Sequence, residues 1–245
     1  MTEHWLIIGA SSAIARACAR ELAGAGACLT LAGRDIDDLE SLAADARIRG
    51  AAAARAIRCD VSDPVSRGAL LDQVDMPDPR LNVIVAVGDM PEQDAMDLDP
   101  DLLMRMVQAT YTGPVLLMQG LAPRFERQQG GRVVIIGSVA GDRGRRKNYL
   151  YGSAKSGLAT YADGLRARFF PSGATVTLIK PGFVDTAMTW GLPGLFLVAS
   201  PQQCAQAMLR AALRGRAVSY VPGFWRLIML IIRHIPPDIM KRLKF

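Results

Sequence analysis

The chain has 245 residues, half of them hydrophobic, which is enough to bury the core of one α/β domain. Its four cysteines are scattered, so neither a zinc site nor a disulfide framework is expected, and a reducing cytoplasm is the simplest setting. The formal net charge of +6 does not by itself indicate nucleic acid, because basic proteins with a solvated surface are commoner. The N-terminus does not have the pattern of a signal peptide, and no apolar run approaches the roughly 20 residues of a membrane-spanning helix.

Strands and helices alternate along the chain. Short Val, Ile, Leu and Ala runs without alternating polarity predict parallel strands that are covered on both faces. The strands are predicted at 4–9, 27–33, 54–59, 81–87, 131–137, 174–180 and 217–221, and the helices at 12–25, 36–49, 65–73, 101–129, 150–170 and 201–214. This order predicts an α/β fold, a single doubly wound Rossmann domain over residues 1–221. Residues 222–245 are predicted to form a C-terminal helical extension that is apolar and basic.

A turn of small residues follows the first strand. Such a turn would let a helix N-terminus and its free N–H groups approach a pyrophosphate. Close packing of a strand on a helix is the alternative explanation for small residues at this place. The candidate cofactor contacts in the turn are Gly9, Ser11, Ser12 and Ile14.

The end of the second strand indicates which nicotinamide cofactor is preferred. The place where an acidic residue would bind the adenosine ribose holds Gly33 followed by Arg34. A guanidinium can bind a phosphate through two hydrogen bonds, so we predict a preference for NADP(H) over NAD(H) with Arg34 as the main determinant. The alternative is a solvated arginine at a helix start, and the adjacent Asp35 favours that alternative.

The strongest signal is the pair Tyr151 and Lys155. They lie four residues apart at the start of a predicted helix, so their side chains share one face of it. A phenol with a pKa near 10 exchanges protons poorly at neutral pH unless a nearby cation stabilises the phenolate, and Lys155 can supply that cation. Ser138 ends the fifth strand, upstream of the pair. A lone Tyr-x-x-x-Lys pair can arise by chance, but its combination with Ser138 and the N-terminal turn favours a catalytic site.

Taken together, these motifs resemble the short-chain dehydrogenase/reductase family. The first turn is similar to the family's TGxxxGIG loop, with Ala13 and Ala15 where glycine is usual, and an added methyl group is tolerated there only at negative φ. The resemblance implies that Tyr151 exchanges a proton with the substrate oxygen, that Ser138 orients this oxygen and that Lys155 also holds the nicotinamide ribose. It implies hydride transfer between nicotinamide and carbon, and no metal ion.

The resemblance also implies further cofactor contacts. The family's asparagine in the proton relay is replaced by Thr110, a weak substitute, and its NNAG segment by Ala86–Asp89, which keeps the glycine Gly88. Asp60 and Val61 match the pair that contacts the adenine. The segment that holds the nicotinamide carboxamide is matched by Pro181, Gly182, Val184 and Thr186.

A longer segment, 137–155, resembles the subgroup that contains decaprenylphosphoryl-2-keto-ribose reductase, and so does the C-terminus over 221–236 and 239–243. That subgroup reduces a 2-keto-pentose carried on a polyprenyl phosphate, in the synthesis of arabinose donors for the cell envelope, together with a partner oxidase. A basic loop precedes Tyr151 and could meet the phosphate, although a solvated loop is an equal alternative. Its basic residues are Arg143, Arg145, Arg146 and Lys147.

The C-terminal tail combines apolar residues with flanking Arg and Lys. Through residues 224–245 it could lie in a membrane interface, which would place the protein on the cytoplasmic face of the membrane. The alternative is a helix packed on the substrate cleft or on a subunit neighbour, and the family resemblance implies a homo-oligomer. The apolar residues are Trp225, Leu227, Ile228, Leu230, Ile231 and Ile232.

Two other functions compete with the lipid-linked sugar reductase. One is a short-chain reductase of a soluble ketone or acyl thioester, and the unusual tail argues against it. The other is a non-catalytic NADP sensor on the same fold, which the intact Ser138, Tyr151 and Lys155 disfavour. No nucleic-acid partner is expected.

Overall fold

The computed structural model describes residues 3–74, 80–191 and 197–243. Its centre is a sheet of seven strands in the order β3-β2-β1-β4-β5-β6-β7, and every neighbouring pair is parallel. The strands are β1 His4–Ile8, β2 Cys28–Gly33, β3 Ala53–Arg58, β4 Leu81–Val85, β5 Arg132–Ile136, β6 Thr175–Pro181 and β7 Val218–Val221.

Helices connect the strands and cover both faces of the sheet. They are α1 Ala13–Gly24, α2 Ile36–Ile48, α3 Pro64–Val74, α4 Gln93–Leu98, α5 Pro100–Val107, α6 Gly113–Arg127, α7 Tyr149–Phe169, α8 Pro201–Leu213, α9 Trp225–His234 and α10 Pro237–Met240. A 3₁₀ turn, Val139–Asp142, follows β5, and another, Phe170–Ser172, follows α7. Among the described helices none is long and apolar enough to cross a membrane.

Alternate residues of each strand enter opposite halves of the core. In β1, Ile7 packs with residues of α1, α2 and α8, whereas Leu6 and Ile8 pack with residues of α3, α6 and α7. Successive side chains of a strand point to opposite faces, so a strand covered on both sides must be apolar at every position. This requirement explains the continuous apolar runs that predicted the strands, and the doubly wound fold is confirmed.

The prediction of one uninterrupted helix at 101–129 was wrong. The structure has α5 and α6 joined by a π-helical turn, Gln108–Thr112, and places the unpredicted α4 before them. Pro114 lacks the N–H that would continue the α-helical ladder, and the Gly113 N–H donates to the oxygen of Gln108, five residues back. The turn lies beside the carboxyl end of the sheet, where it brings Thr110 towards the candidate site.

The direction in which strands are added reverses between β1 and β4. In open parallel sheets, ligands bind at the carboxyl ends of the strands beside such a reversal. The loops that follow β1, β4, β5 and β6 therefore define the place to look for a site.

Candidate active site

The turn after β1 lies very close to the backbone of the loop after β4. Gly9 has a φ of 77°, and a Cβ there would lie 2.7 Å from the carbonyl oxygen of Ala86. Its N–H donates to the carbonyl oxygen of Ala32 at 2.8 Å, and Ser12 caps α1 by accepting a hydrogen bond from the N–H of Ala15. The predicted contacts Ser11, Ser12 and Ile14 thus lie at a helix N-terminus, whose unpaired N–H groups suit a pyrophosphate.

The two alanines that replace family glycines cause no backbone strain. Ala13 and Ala15 lie in the first turn of α1, and neither is among the described residues with positive φ. The Ala15 methyl group is fully buried in the core. The condition of negative φ is therefore met, and the site still fits a dinucleotide.

Around the end of β2, one arginine is paired and another is not. Arg34 is exposed and makes no hydrogen bond or ion pair with any described residue. Arg16, which the sequence analysis did not single out, donates from Nε to the Ser11 carbonyl oxygen at 3.0 Å and pairs with Asp38. The Asp35 carboxylate caps α2 by accepting from the Asp38 N–H. Arg34 is thus left available for an anion.

Asp60 and Val61 follow β3 at the same edge of the sheet. The Asp60 N–H donates to the Ser66 hydroxyl at 2.9 Å, and Oδ1 of Asp60 accepts from the Ser62 N–H at 2.9 Å. The Val61 carbonyl oxygen accepts from Arg67 at 2.7 Å. These bonds hold the loop in place and leave Oδ2 of Asp60 for the predicted adenine contact.

Gly88 leaves room for Lys155, and Thr110 holds the loop that contains Gly88. A Cβ at Gly88 would lie 3.1 Å from Nζ of Lys155, and Gly88 has a φ of 159°. Lys155 donates to the carbonyl oxygens of Ile136 at 2.9 Å and Val87 at 3.4 Å. The Thr110 hydroxyl accepts from the Asp89 N–H at 3.0 Å and donates to the Asp89 carbonyl oxygen at 3.1 Å. Thr110 therefore fastens the loop after β4, and its hydroxyl is engaged there rather than with Lys155.

Ser138, Tyr151 and Lys155 meet at the start of α7. Tyr151 is buried, and its hydroxyl lies near the Ser138 side chain. Nζ of Lys155 lies 5.8 Å from the centroid of the Tyr151 ring. The helix can approach the turn after Ser138 because Gly152 has no side chain, since a Cβ there would lie 2.8 Å from the Ala140 carbonyl oxygen.

Burial sets the protonation of this group. It raises the pKa of Tyr151 above its usual value of 10, opposed in part by the hydrogen bond with Ser138. It lowers the pKa of Lys155 to about 8. At neutral pH the phenol is therefore protonated and can donate to a substrate oxygen, while the lysine remains largely cationic.

We expect kcat/KM for ketone reduction to be level from about pH 6 to 7.5 and to fall as pH rises through about 8. A lysine with a lowered pKa loses its proton in that range, and the phenol then loses the cation that makes it a better acid. The measurement is a pH profile of kcat/KM, which reports ionisations of the free enzyme. A level profile up to pH 10 would contradict a role for the Lys155 cation.

The segment after β6 is held by the C-terminal tail. The Gly182 N–H donates to the Val221 carbonyl oxygen at 2.9 Å, and the Trp225 ring packs so closely that a Cβ at Gly182 would lie 1.9 Å from Nε1. Phe183 meets the same ring edge to face, with centroids 5.4 Å apart. Trp225 is buried, and this contact could not be inferred from sequence spacing.

Further along, Val184 forms a bridge with Ala199, and the Thr186 N–H donates to the Thr189 hydroxyl at 3.2 Å. The sulfur of Met188 lies 4.0 Å from the Tyr151 hydroxyl, so this side chain borders the place where a substrate oxygen would bind. Met188 was also missed by the sequence analysis. Pro181, Gly182, Val184 and Thr186 thus lie on one segment beside the Tyr151 group.

Comparison with known proteins agrees with this geometry. The profile described as short chain dehydrogenase matches residues 3–193. The chain belongs to that family. An uncharacterised oxidoreductase of Mycobacterium tuberculosis is 34% identical over 239 residues, which cover 97% of this chain and 96% of the relative.

Two further proteins, one known by sequence and one by structure, are similar to this short-chain dehydrogenase. A cis-4-hydroxycyclohexanecarboxylate dehydrogenase of Sinomonas cyclohexanicum is 29% identical and covers 89% of this chain and 91% of its own. A short-chain dehydrogenase from Sphingobium yanoikuyae, solved with NADPH, shares the fold with a TM-score of 0.81 at 24% identity, covering 100% and 97% of the two chains. The chain is accordingly an oxidoreductase that uses a nicotinamide cofactor and acts on CH–OH or C=O groups. No group of metal-ligating side chains occurs in the described part of the chain.

Proposed function

We propose that this short-chain dehydrogenase is an NADPH-dependent reductase of a keto group, whose substrate is a 2-keto-pentose carried on a polyprenyl phosphate. The observation that carries the reductase is the buried contact of Tyr151 with Ser138 beside Lys155. The lipid-linked substrate rests on the resemblance of two segments to the keto-ribose reductases and on the surface that the tail presents.

The proposed roles follow from the geometry. A bound nicotinamide supplies the hydride. Tyr151 gives its proton to the developing alkoxide, Ser138 orients the oxygen, and Lys155 stabilises the phenolate that remains. The carbonyl oxygens of Ile136 and Val87 hold the lysine in position.

Around the cofactor, the free N–H groups at the start of α1, with Gly9, Ser11, Ser12 and Ile14, would hold the pyrophosphate. The adenine would lie against Asp60 and Val61. The nicotinamide end would lie between Gly88 and the segment that contains Pro181, Gly182, Val184 and Thr186.

Arg34 is proposed to select NADPH. Arg34→Ala is expected to raise KM for NADPH by roughly 10- to 100-fold and to change KM for NADH little, because a charge-assisted contact with the ribose phosphate is lost. Steady-state kinetics with both cofactors measure this. Arg214→Ala, which removes another exposed arginine at the end of α8, is the control. Equal efficiency of Arg34→Ala and the wild type with NADPH would contradict the assignment.

The tail helix α9 supports a lipid-borne substrate. One face packs Trp225 and Met229 into the protein, whereas Leu227, Leu230 and Ile231 on the other face are 65%, 54% and 64% exposed. Exposed basic residues occur in α9 and just after α10 and would attract anionic lipid head groups. They are Arg226, Arg233, Lys241 and Arg242.

NADPH oxidation tests the substrate directly. Purified protein is given a polyprenylphosphoryl 2-keto-pentose, a soluble ketone or an acyl thioester, each with and without vesicles. Selective turnover of the lipid-linked sugar supports the proposal. Turnover of soluble ketones alone would support the assignment as a keto-group reductase but exclude the role in envelope glycans. No turnover of any substrate would favour a non-catalytic NADP sensor.

Vesicle binding tests the tail separately. The triple variant Leu227→Ser, Leu230→Ser and Ile231→Ser should lose co-sedimentation with vesicles rich in phosphatidylglycerol. Ile48→Ser with Leu98→Ser, which removes two apolar side chains that are each 87% exposed on other helices, should retain it. Such binding would agree with a peripheral location on the cytoplasmic side of the membrane and with residues 222–245 as a functional extension. The proposal also includes assembly of the protein into a homo-oligomer and a partner oxidase that acts in the same pathway.

A further inference from the structure

The four basic residues of the loop before Tyr151 lie in different environments. Arg143 donates to the Ile235 carbonyl oxygen at 3.0 Å and so joins the loop to the end of α9. Arg146 and Lys147 are exposed. Arg145 is partly buried, and its Nε atom is inaccessible to water.

The Nε atom of Arg145 has no hydrogen-bond partner among the described residues, and the side chain makes no ion pair with any of them. Burial lowers the pKa of this guanidinium, against an attraction to Asp142. Burying a guanidinium away from water costs folding free energy unless an anion or hydrogen-bond acceptors bind its N–H groups.

The carboxylate of Asp142 binds two other groups. Its side chain is 2% exposed and forms an ion pair with Lys180, and it accepts a hydrogen bond from the Tyr220 hydroxyl at 2.7 Å. Arg233 of α9 lies near the same Tyr220. Lys180 and Arg145 thus form a cationic group around one carboxylate, which is paired with Lys180 and leaves the Arg145 charge without an ion-pair partner among the described residues.

The cationic group lies next to the proposed reaction site. Asp142 ends the turn that begins after Ser138, and Lys180 directly precedes Pro181 and Gly182. An anion at Arg145 would thus lie in the loop that joins Asp142 to Tyr151, beside the proposed reaction site.

We propose that Arg145 binds a phosphate ester of the substrate and thereby sets the position of its keto group relative to Tyr151. The guanidinium offers two parallel N–H donors to phosphate oxygens, a geometry that water does not match. The inference rests on the proposed function for the molecule that carries the phosphate. The anion site itself can be tested without turnover.

Thermal unfolding with saturating NADP⁺ tests the site, because the cofactor then fills its own phosphate contacts. Inorganic phosphate and a soluble phosphate diester should each raise the unfolding temperature of the wild type. Arg145→Gln should abolish this rise and should unfold at an equal or higher temperature without phosphate, because it removes an uncompensated charge. Arg214→Gln, which changes an exposed arginine directly after α8, should behave as the wild type.

A purely structural role for Arg145 would give the opposite result, a lower unfolding temperature of Arg145→Gln with the phosphate response intact. That result would overturn the proposal. A wild type that does not respond to either phosphate probe would also overturn it.

Kinetics and vesicles identify the source of the phosphate. With the lipid-linked keto-pentose, Arg145→Gln should raise KM by roughly 10- to 100-fold, with a smaller change in kcat, and should leave vesicle co-sedimentation unchanged. Loss of vesicle binding with an unchanged KM would assign Arg145 to membrane head groups and overturn the substrate site. If the lipid-linked sugar is not turned over but the phosphate response depends on Arg145, the anion site stands and the proposed substrate fails.

Discussion

Tyr151→Phe is expected to lower kcat/KM for ketone reduction by about 10²- to 10⁴-fold, the usual contribution of a positioned general acid. The substitution removes only the hydroxyl, which lies near Ser138, and keeps the ring that packs with Ala140 and Ala154. The fold and cofactor binding should therefore be retained. Initial rates of NADPH oxidation and cofactor titration by fluorescence measure the two effects.

The control for this substitution lies on the same helix. Tyr161 is half-buried in α7, and its hydroxyl accepts a hydrogen bond from Gln119 at 3.0 Å, away from Ser138 and Lys155. Tyr161→Phe should keep nearly full activity. Retention of more than about a tenth of the activity by Tyr151→Phe would remove the general-acid role.

Gly182→Ala is expected to impair both stability and cofactor binding. The new methyl group would lie within 2.0 Å of two atoms of the Trp225 ring. The ring and the segment after β6 must move apart, which costs about 1–3 kcal/mol of unfolding free energy. This segment is the proposed contact for the nicotinamide, so part of the same free-energy cost should also weaken cofactor binding. We therefore expect KM for NADPH to rise about tenfold.

Thermal unfolding and cofactor kinetics check this prediction, with Gly164→Ala as the control. Gly164 lies in α7, and a Cβ there would meet no atom within 4 Å, so the alanine should leave activity unchanged and stabilise the helix by about 0.5–1 kcal/mol. In Gly182→Ala/Trp225→Ala the clash is absent, so the two substitutions should be less than additive in unfolding free energy. If the effects of the two substitutions on the unfolding free energy were strictly additive, a methyl group at position 182 would not clash with the Trp225 ring.

Much of the fold could be predicted because its signals are local. The run Trp5–Ile8 is apolar at every position since both faces of β1 are buried, and Ser200 with Pro201 indicates the start of α8, where a capping box is present. The six-residue α4 was not predicted. It is too short to show helical periodicity, and no side chain caps its N-terminus.

The candidate site could be predicted only in part. Tyr151 and Lys155 are neighbours on one helix, so their spacing reveals them. Contacts between distant segments do not leave such a pattern: Trp225 on Gly182, and Arg16 with Asp38, arise from tertiary packing. The same holds for the loop of basic residues. Composition alone does not distinguish Arg143, which binds the tail, from Arg145, whose Nε has no partner among the residues that the structure describes.

Hydride transfer to the keto group is tested most directly by the product formed from the polyprenylphosphoryl 2-keto-pentose and NADPH that carries deuterium at both C4 positions. We expect the wild type to form a pentose product with one deuterium on the former keto carbon, and Tyr151→Phe to form almost none. A product without deuterium, or equal formation by Tyr151→Phe, would contradict hydride transfer to this keto group with Tyr151 as the proton donor.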